Sequence, residues 1–266
     1  MKGPFHDYLY NQHVEMAKNL SGIAFNGMTT KIFSTFAASS LTSMGCESVL
    51  DFGSGSGIDK DASNVGHENM RKIASADIEI FGYEPSMKSK LDTSENSLVN
   101  QSYLSSSSAQ MSGNFLPFKN GQFDASMSFD VIEHLHQFDA ALVVPELFRV
   151  AKTCVIANIS CMPAQKKLPN GFNCHTSLFD PSVWMMMFWQ ESLRTGTSFA
   201  LFTTISKHNY CFTHNLPLRS SFESFGTASF SEGKFFTLKN QNLLGFESNH
   251  SRWINSHIET FFEYKK

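Results

Sequence analysis

Three groups of residues have the types and spacing to do chemistry. The first is VLDFGSGSG, Val49 to Gly57. An apolar strand ending in Gly53, Gly55 and Gly57 makes a turn open to positive φ angles and to close approach of backbone and ligand. A helix after it would present free N–H groups, so the turn, with Ser54, can cradle a phosphate or the amino-acid end of a nucleoside cofactor. Asp51 lies two residues before Gly53; its carboxylate would accept from an ammonium group and repel a pyrophosphate. Ile58 stands where GxGxxG has its third glycine. Both details favour S-adenosylmethionine over NAD. The second group is Glu84 in FGYEPS, 31 residues after Gly53. A carboxylate at the tip of the second strand can hold both ribose hydroxyls. The simplest dinucleotide pattern spaces it by about 20 residues, so an insertion around Asp59 to His67 is expected. The third group is a set of candidate proton acceptors, since an imidazole titrates near neutrality. His175 is the first choice and His134 the second.

These residues need elements to position them. Short apolar or alternating runs predict strands at Ser48–Phe52, Ile78–Tyr83, Phe123–Phe129 and Val155–Ile159, a weak strand near Tyr103–Ser106, and a final pair at Phe199–Ile205 and Tyr210–Thr213. Helices are expected over Asp139–Lys152, with Pro145 setting the first turn or a kink, and over Pro181–Leu193, with Pro near its start. Strands alternating with helices predict an α/β, Rossmann-like fold: a seven-stranded, mostly parallel sheet with an antiparallel strand at its edge and helices on both faces. Residues 1–45 are expected to form an N-terminal helical cap, 46–214 the α/β domain, and 215–266 a small C-terminal extension packed on it. The Phe-rich extension reads as a small β core, with a lid or an oligomer surface as the alternative. Trp184 and Trp189, with Met185, Met186, Met187 and Phe188 between them, form either a wall of an acceptor pocket or a core-facing helix.

Composition narrows the partners. Of 266 residues 41% are hydrophobic, enough for a sizeable core, and 17% are charged, below the roughly 25% of ordinary domains. Net charge is −3 and no block of Lys or Arg occurs. The basic stripe of a nucleic-acid binder is absent, so a small or neutral substrate is expected and no nucleic acid. Five cysteines without a CxxC read as a reduced, intracellular set, not a disulfide framework or zinc site; no metal is expected. With no apolar run of membrane-spanning length and no signal-peptide plan at the N-terminus, the expectation is a cytoplasmic protein with no membrane partner.

VLDFGSGSG, YEPS and LPFKNGQFDASMSFDVIEHL, in that order, resemble the motif series of class I S-adenosylmethionine-dependent methyltransferases of the type 11 kind. Leu116, Pro117, Phe118, Phe123, Asp124, Val131, Glu133 and His134 fall on the pattern, and the resemblance spans roughly residues 45–160. It implies that Asp51, Gly53, Ser54, Gly55 and Gly57 line the methionine end of the cofactor, that Glu84, followed by Pro85, holds the ribose, and that Phe129 and Asp130 border cofactor and substrate. The family often has an acidic residue before LPF for the adenine amino group. Here the stretch is AQMSGNF, and Gln110, Ser112 or Asn114 would substitute. The stretch VIANISCMPAQKKLPNGFNCHTSLFDPSVW is similar to a subset with an LPNG-x-N-x-H…W segment, associated with sugar, cell-envelope and phage-encoded methyltransferases.

The implied activity is methyl transfer to a small molecule or glycan, at oxygen more than at nitrogen. A hydroxyl acceptor must lose a proton. His175 lies in the loop after Val155–Ile159, where open α/β sheets bind ligands, with Asn173 beside it to orient a substrate and Trp184 as a candidate pocket wall. Glu133-His134 also reads as a helix-start pair under the cofactor, and Asp130 either binds an acceptor amine or caps the next helix. Two rival readings are an NAD-linked oxidoreductase, opposed by Asp51 and FDVIEH, and a non-catalytic partner-binding subunit. A base-flipping nucleic-acid methylase would show an NPPY-like tetrapeptide where SFDV stands. A homo-oligomer is compatible with all of this.

Overall fold

A computed structural model describes residues 28–54, 78–83, 116, 118–165, 167, 171–205, 208–216, 235–236 and 260–264. Its strands are β1 (Ser48–Phe52), β2 (Glu79–Tyr83), β3 (Phe123–Phe129), β4 (Ala151–Ser160), β5 (Ser198–Ile205), β6 (His208–His214), β7 (Phe235–Phe236) and β8 (Thr260–Tyr264). They form a single sheet in the order β2-β1-β3-β4-β5-β6-β8-β7. The first five are parallel; β6, β8 and β7 continue the sheet antiparallel. The sheet thus has eight strands among the described residues, where seven were expected, and its last three pairings are antiparallel. β8, from the expected C-terminal extension, joins through β6.

The parallel strands are apolar on both faces because helices cover both, and alternate side chains divide between two cores. Leu50, Phe52, Val155, Ala157, Phe199 and Leu201 face α2 (Gln137–Val150) and α3 (Pro181–Thr195), meeting Val144, Leu147, Phe148, Trp184 and Phe188. Val49, Met127, Phe129, Ile156, Ala200 and Phe202 face α1 (Met28–Ser43), meeting Phe33, Phe36, Ala37 and Leu41. Residues 28–43 of the expected cap are therefore the helix layer of one sheet face.

The helix ends follow local rules. The Asp180 side chain accepts from the Ser182 N–H, Pro181 opens α3, and Gly196 closes it at φ 75°. Pro145 lies inside α2, which runs through it. The turn before β3 is held by a clamp from α2. Arg149 forms an ion pair with Glu146 and donates to the carbonyls of Leu116 and Phe118, while the Leu116 N–H donates to Glu146 at 2.7 Å. Asp124 joins β3 to the start of β1: its Oδ2 accepts from the Ser48 hydroxyl (2.8 Å) and the N–H groups of Glu47 and Ser48, and its Oδ1 meets Lys152 Nζ at 2.9 Å. No helix among the described residues is long and apolar enough to cross a membrane. All five cysteines are buried and free.

β1 lies between β2 and β3. The chain leaves β1 toward one side and returns for β3 on the other, which opens a crevice beyond their carboxyl ends; open α/β sheets bind ligands at such a switch point.

Candidate functional site

Two features meet at this switch point. The first is the turn after β1. Asp51 is 2% exposed and lies in register between Gly82 of β2 and Met127 of β3. The Gly53 N–H donates to the Tyr83 carbonyl at 2.7 Å. Gly53 has φ 82°, and a Cβ there would come within 2.3 Å of the Val131 side chain. A Cβ on Gly82 would lie 2.7 Å from Ser54 Oγ. Only glycine satisfies both the conformation and the space at Gly53, so the turn passes as bare backbone against the segment leaving β3.

The second feature is the tip of β3. Asp130 is exposed, has φ 61°, and donates its N–H to the Asn158 carbonyl. A single 3₁₀ turn, Ile132–His134, follows. The Glu133 carbonyl accepts from the N–H groups of Thr176 (2.9 Å) and Ser177 (3.0 Å). Thr176 Oγ1 donates to the carbonyls of His134 and Leu135, and Ser177 Oγ to that of Leu135. The loop after β4 is thereby stitched to this turn, and His175 is brought against His134 with ring centroids 4.6 Å apart and planes at 82°.

Both imidazoles are oriented by backbone. His134 Nδ1 lies 3.0 Å from the Cys174 carbonyl, and His175 Nδ1 lies 2.5 Å from the Met162 carbonyl. A carbonyl can only accept, so each Nδ1 carries a proton, which leaves Nε2 as the nitrogen of each ring that can give or take one. Burial, and then the neighbouring His175, hold the His134 pKa below its ordinary value. Glu133 is buried behind the pair, and its Oε1 accepts from the Ser160 N–H at 2.6 Å. Burial, and then the charge of Asp130, push its carboxyl well up.

The residues expected from sequence divide as follows. Asp51, Gly53 and Ser54 reach the switch point beside Asp130. His134 and His175, 41 residues apart in sequence, are in contact. Phe129 is buried, its ring stacked on Phe33 of α1 at 5.4 Å. The Asn173 amide is engaged by its own loop: Oδ1 accepts from the N–H groups of Ala164 and His175, and Nδ2 donates to the Ala164 carbonyl. It therefore braces His175. Trp184 is wholly buried, packed edge-on to Phe179 at 5.1 Å, so its ring belongs to the core and not to a pocket wall. Gly55, Gly57, Glu84, Pro85 and Ser112 lie outside the described residues, as does the strand expected near Tyr103–Ser106. The carbonyls of Met162 and Cys174 and the hydroxyls of Thr176 and Ser177 were not anticipated. Backbone acceptors carry no sequence signal, and the hydroxyls matter only once two distant segments pair.

The site fits S-adenosylmethionine on this geometry. A buried carboxylate at the strand tip suits the ammonium of the methionyl group, and the turn leaves no side chain between backbone and ligand. Residues 50–154 match the family model described as a methyltransferase domain. No curated protein matches the chain. Among solved structures, the PH0226 protein from Pyrococcus horikoshii OT3 is 12% identical and aligns over 88% of this chain and 89% of its own, with a TM-score of 0.26; a superposition that loose carries no weight. The matched segment runs from β1 into β4 and contains both sides of the crevice, so the protein carries a methyltransferase domain over residues 50–154, with S-adenosylmethionine as its methyl donor.

Proposed function

We propose that the protein methylates a hydroxyl of a small molecule or glycan, with His134 and His175 as the groups that take the hydroxyl proton. One observation carries this reading: both imidazoles direct Nδ1–H into backbone carbonyls, so both Nε2 atoms are free to act as acceptors. S-adenosylmethionine supplies an electrophilic sulfonium methyl. Asp51, Gly53 and Ser54 hold it together with Gly55, Gly57, Glu84, Pro85 and Ser112, and Phe129 and Asp130 border it. The protein's remaining task is to align the acceptor, exclude water and remove a proton. Asn173 fixes His175 for that task, and the Thr176 and Ser177 stitches fix His134. The absence of a basic block supports an acceptor other than nucleic acid. The buried free cysteines support a reducing, cytoplasmic setting.

The test combines calorimetry with a transfer assay. S-adenosylhomocysteine should bind the purified protein and NAD should not. Isotopic methyl transfer to a panel of sugars and small alcohols should exceed transfer to the corresponding amines. His175→Ala should leave S-adenosylhomocysteine affinity unchanged and lower turnover about 10²–10⁴-fold. Full turnover in His175→Ala and His134→Ala would remove the imidazoles from the mechanism.

A further inference from the structure

We propose that Asp130, His134 and His175 form a divalent-cation site at the edge of the cofactor crevice. The proposal rests on the hydroxyl-acceptor reading above and changes the agent that activates the hydroxyl. One ligating atom from each of the three side chains lies within 4.8 Å of the others. A tetrahedral cation with nitrogen and oxygen ligands at about 2.0–2.2 Å holds those ligands about 3.3 Å apart. Small side-chain rotations are enough to close the triad.

The chemistry of the set points the same way. Each ring contributes a nitrogen to the cluster with the Asp130 carboxylate, and with Nδ1 of each ring engaged by a backbone carbonyl, Nε2 is the atom left to meet a ligand. The Nδ1–H to carbonyl bonds are the outer-shell contacts that orient metal-ligating histidines and fix their tautomer.

The framework is held before any cation arrives. His134 sits on a turn stitched to the next loop by Thr176 and Ser177, His175 is braced by Asn173, and Asp130 is fixed at φ 61° by its N–H bond to Asn158. Two histidines and one carboxylate suit a borderline cation such as Zn²⁺ and hold the harder Mn²⁺ less tightly, and three protein ligands leave room for an acceptor oxygen.

At that position the cation acts as a Lewis acid. It polarises the acceptor hydroxyl, whose O–H bond breaks and whose proton leaves to solvent. The oxygen electron pair then forms the bond to the methyl carbon as the carbon–sulfur bond breaks, and that pair stays on sulfur. The imidazoles act as ligands and no longer as bases.

The experiment is a metal titration of chelator-treated, desalted protein. Calorimetry with ZnCl₂ and, separately, MnCl₂ should show saturable binding of one equivalent. Asp130→Asn, His134→Ala and His175→Ala should each weaken it about tenfold or more, with an unchanged thermal unfolding midpoint of the metal-free protein as the control for folding. Asp130→Asn is the safest variant, because Asp130 is exposed and Asn tolerates its left-handed backbone. No saturable binding, or binding that all three variants retain, overturns the site. The titration needs no acceptor, so the two readings fail separately. Hydroxyl methylation at full rate in metal-free protein would overturn the cation and leave the imidazole base standing. Specific metal binding without any hydroxyl transfer would support the site and overturn the acceptor.

Discussion

Gly53 shows how tightly single residues constrain this site. Its positive φ and the 2.3 Å approach of Val131 to a notional Cβ leave no accommodation for alanine. Gly53→Ala should lower S-adenosylhomocysteine affinity by more than about tenfold, since the turn must rebuild to relieve both strains. Isothermal titration reads this directly, and unchanged affinity would mean that the turn is not part of the cofactor site. Asp51→Ala should weaken the same binding by about 1–3 kcal/mol through loss of a buried acceptor for a charged donor. At this scale the sequence was informative wherever the chemistry is intrinsic to the residue. A glycine after a strand and a carboxylate before it are readable by type. Asn173 and Trp184 were not, because whether an amide or an indole meets substrate depends on what else surrounds it.

Elements are joined by two polar clamps. Asp124 ties β3 to β1 and to Lys152 of β4. Burial alone would raise its carboxyl, but the Lys152 ammonium, the Ser48 hydroxyl and the N–H groups of Glu47 and Ser48 outweigh that and hold it at about 2 against an ordinary 3.8. The unfolded chain therefore takes up this proton first as pH falls. The contribution to stability is complete above about pH 4 and is lost as pH falls toward 2. Asp124→Asn should lower the urea midpoint at pH 7 and flatten its decline between pH 4 and 2; an unaltered acid limb would show that this carboxylate does not govern it. Arg149 closes the second clamp, with Glu146 8% exposed beneath it. Arg149→Ala strands that carboxylate and frees the carbonyls of Leu116 and Phe118, so a loss of about 3 kcal/mol is expected in urea unfolding. Strands β1 to β6 and the span of α3 were legible because short apolar or alternating runs, Pro181 and Gly196 are local signals. The clamp itself carried no such signal: the carbonyls that Arg149 meets lie about thirty residues upstream and reach it only in the folded chain.

Over the whole molecule, α1 couples the far face of the sheet to the site. Phe33 stacks on Phe129 at 5.4 Å and packs against Phe202 at 4.8 Å, and Thr29 Oγ1 reaches Asp130 at 3.4 Å. Phe33→Ala should cost about 3–5 kcal/mol of stability and, by loosening the tip of β3, weaken S-adenosylhomocysteine binding as well. Thermal unfolding and calorimetry on one variant test both, and a stability loss with intact affinity would confine α1 to the core. Taken as one object, the chain divides cleanly. Its sequence alone determined the α/β class, the parallel core strands, the glycine turn with Asp51 and the choice of S-adenosylmethionine, because each depends on residues near one another along the chain. Tertiary structure decided that α1 is a layer of the domain, that β8 and β7 extend the sheet beyond the antiparallel β6, and that Asp130, His134 and His175 are neighbours. The α1 layer, the β6–β8 pairing and the contact of His175 with His134 arise between segments forty or more residues apart. Local spacing encodes an element, but only the closing of the fold determines which lone pairs point at one another.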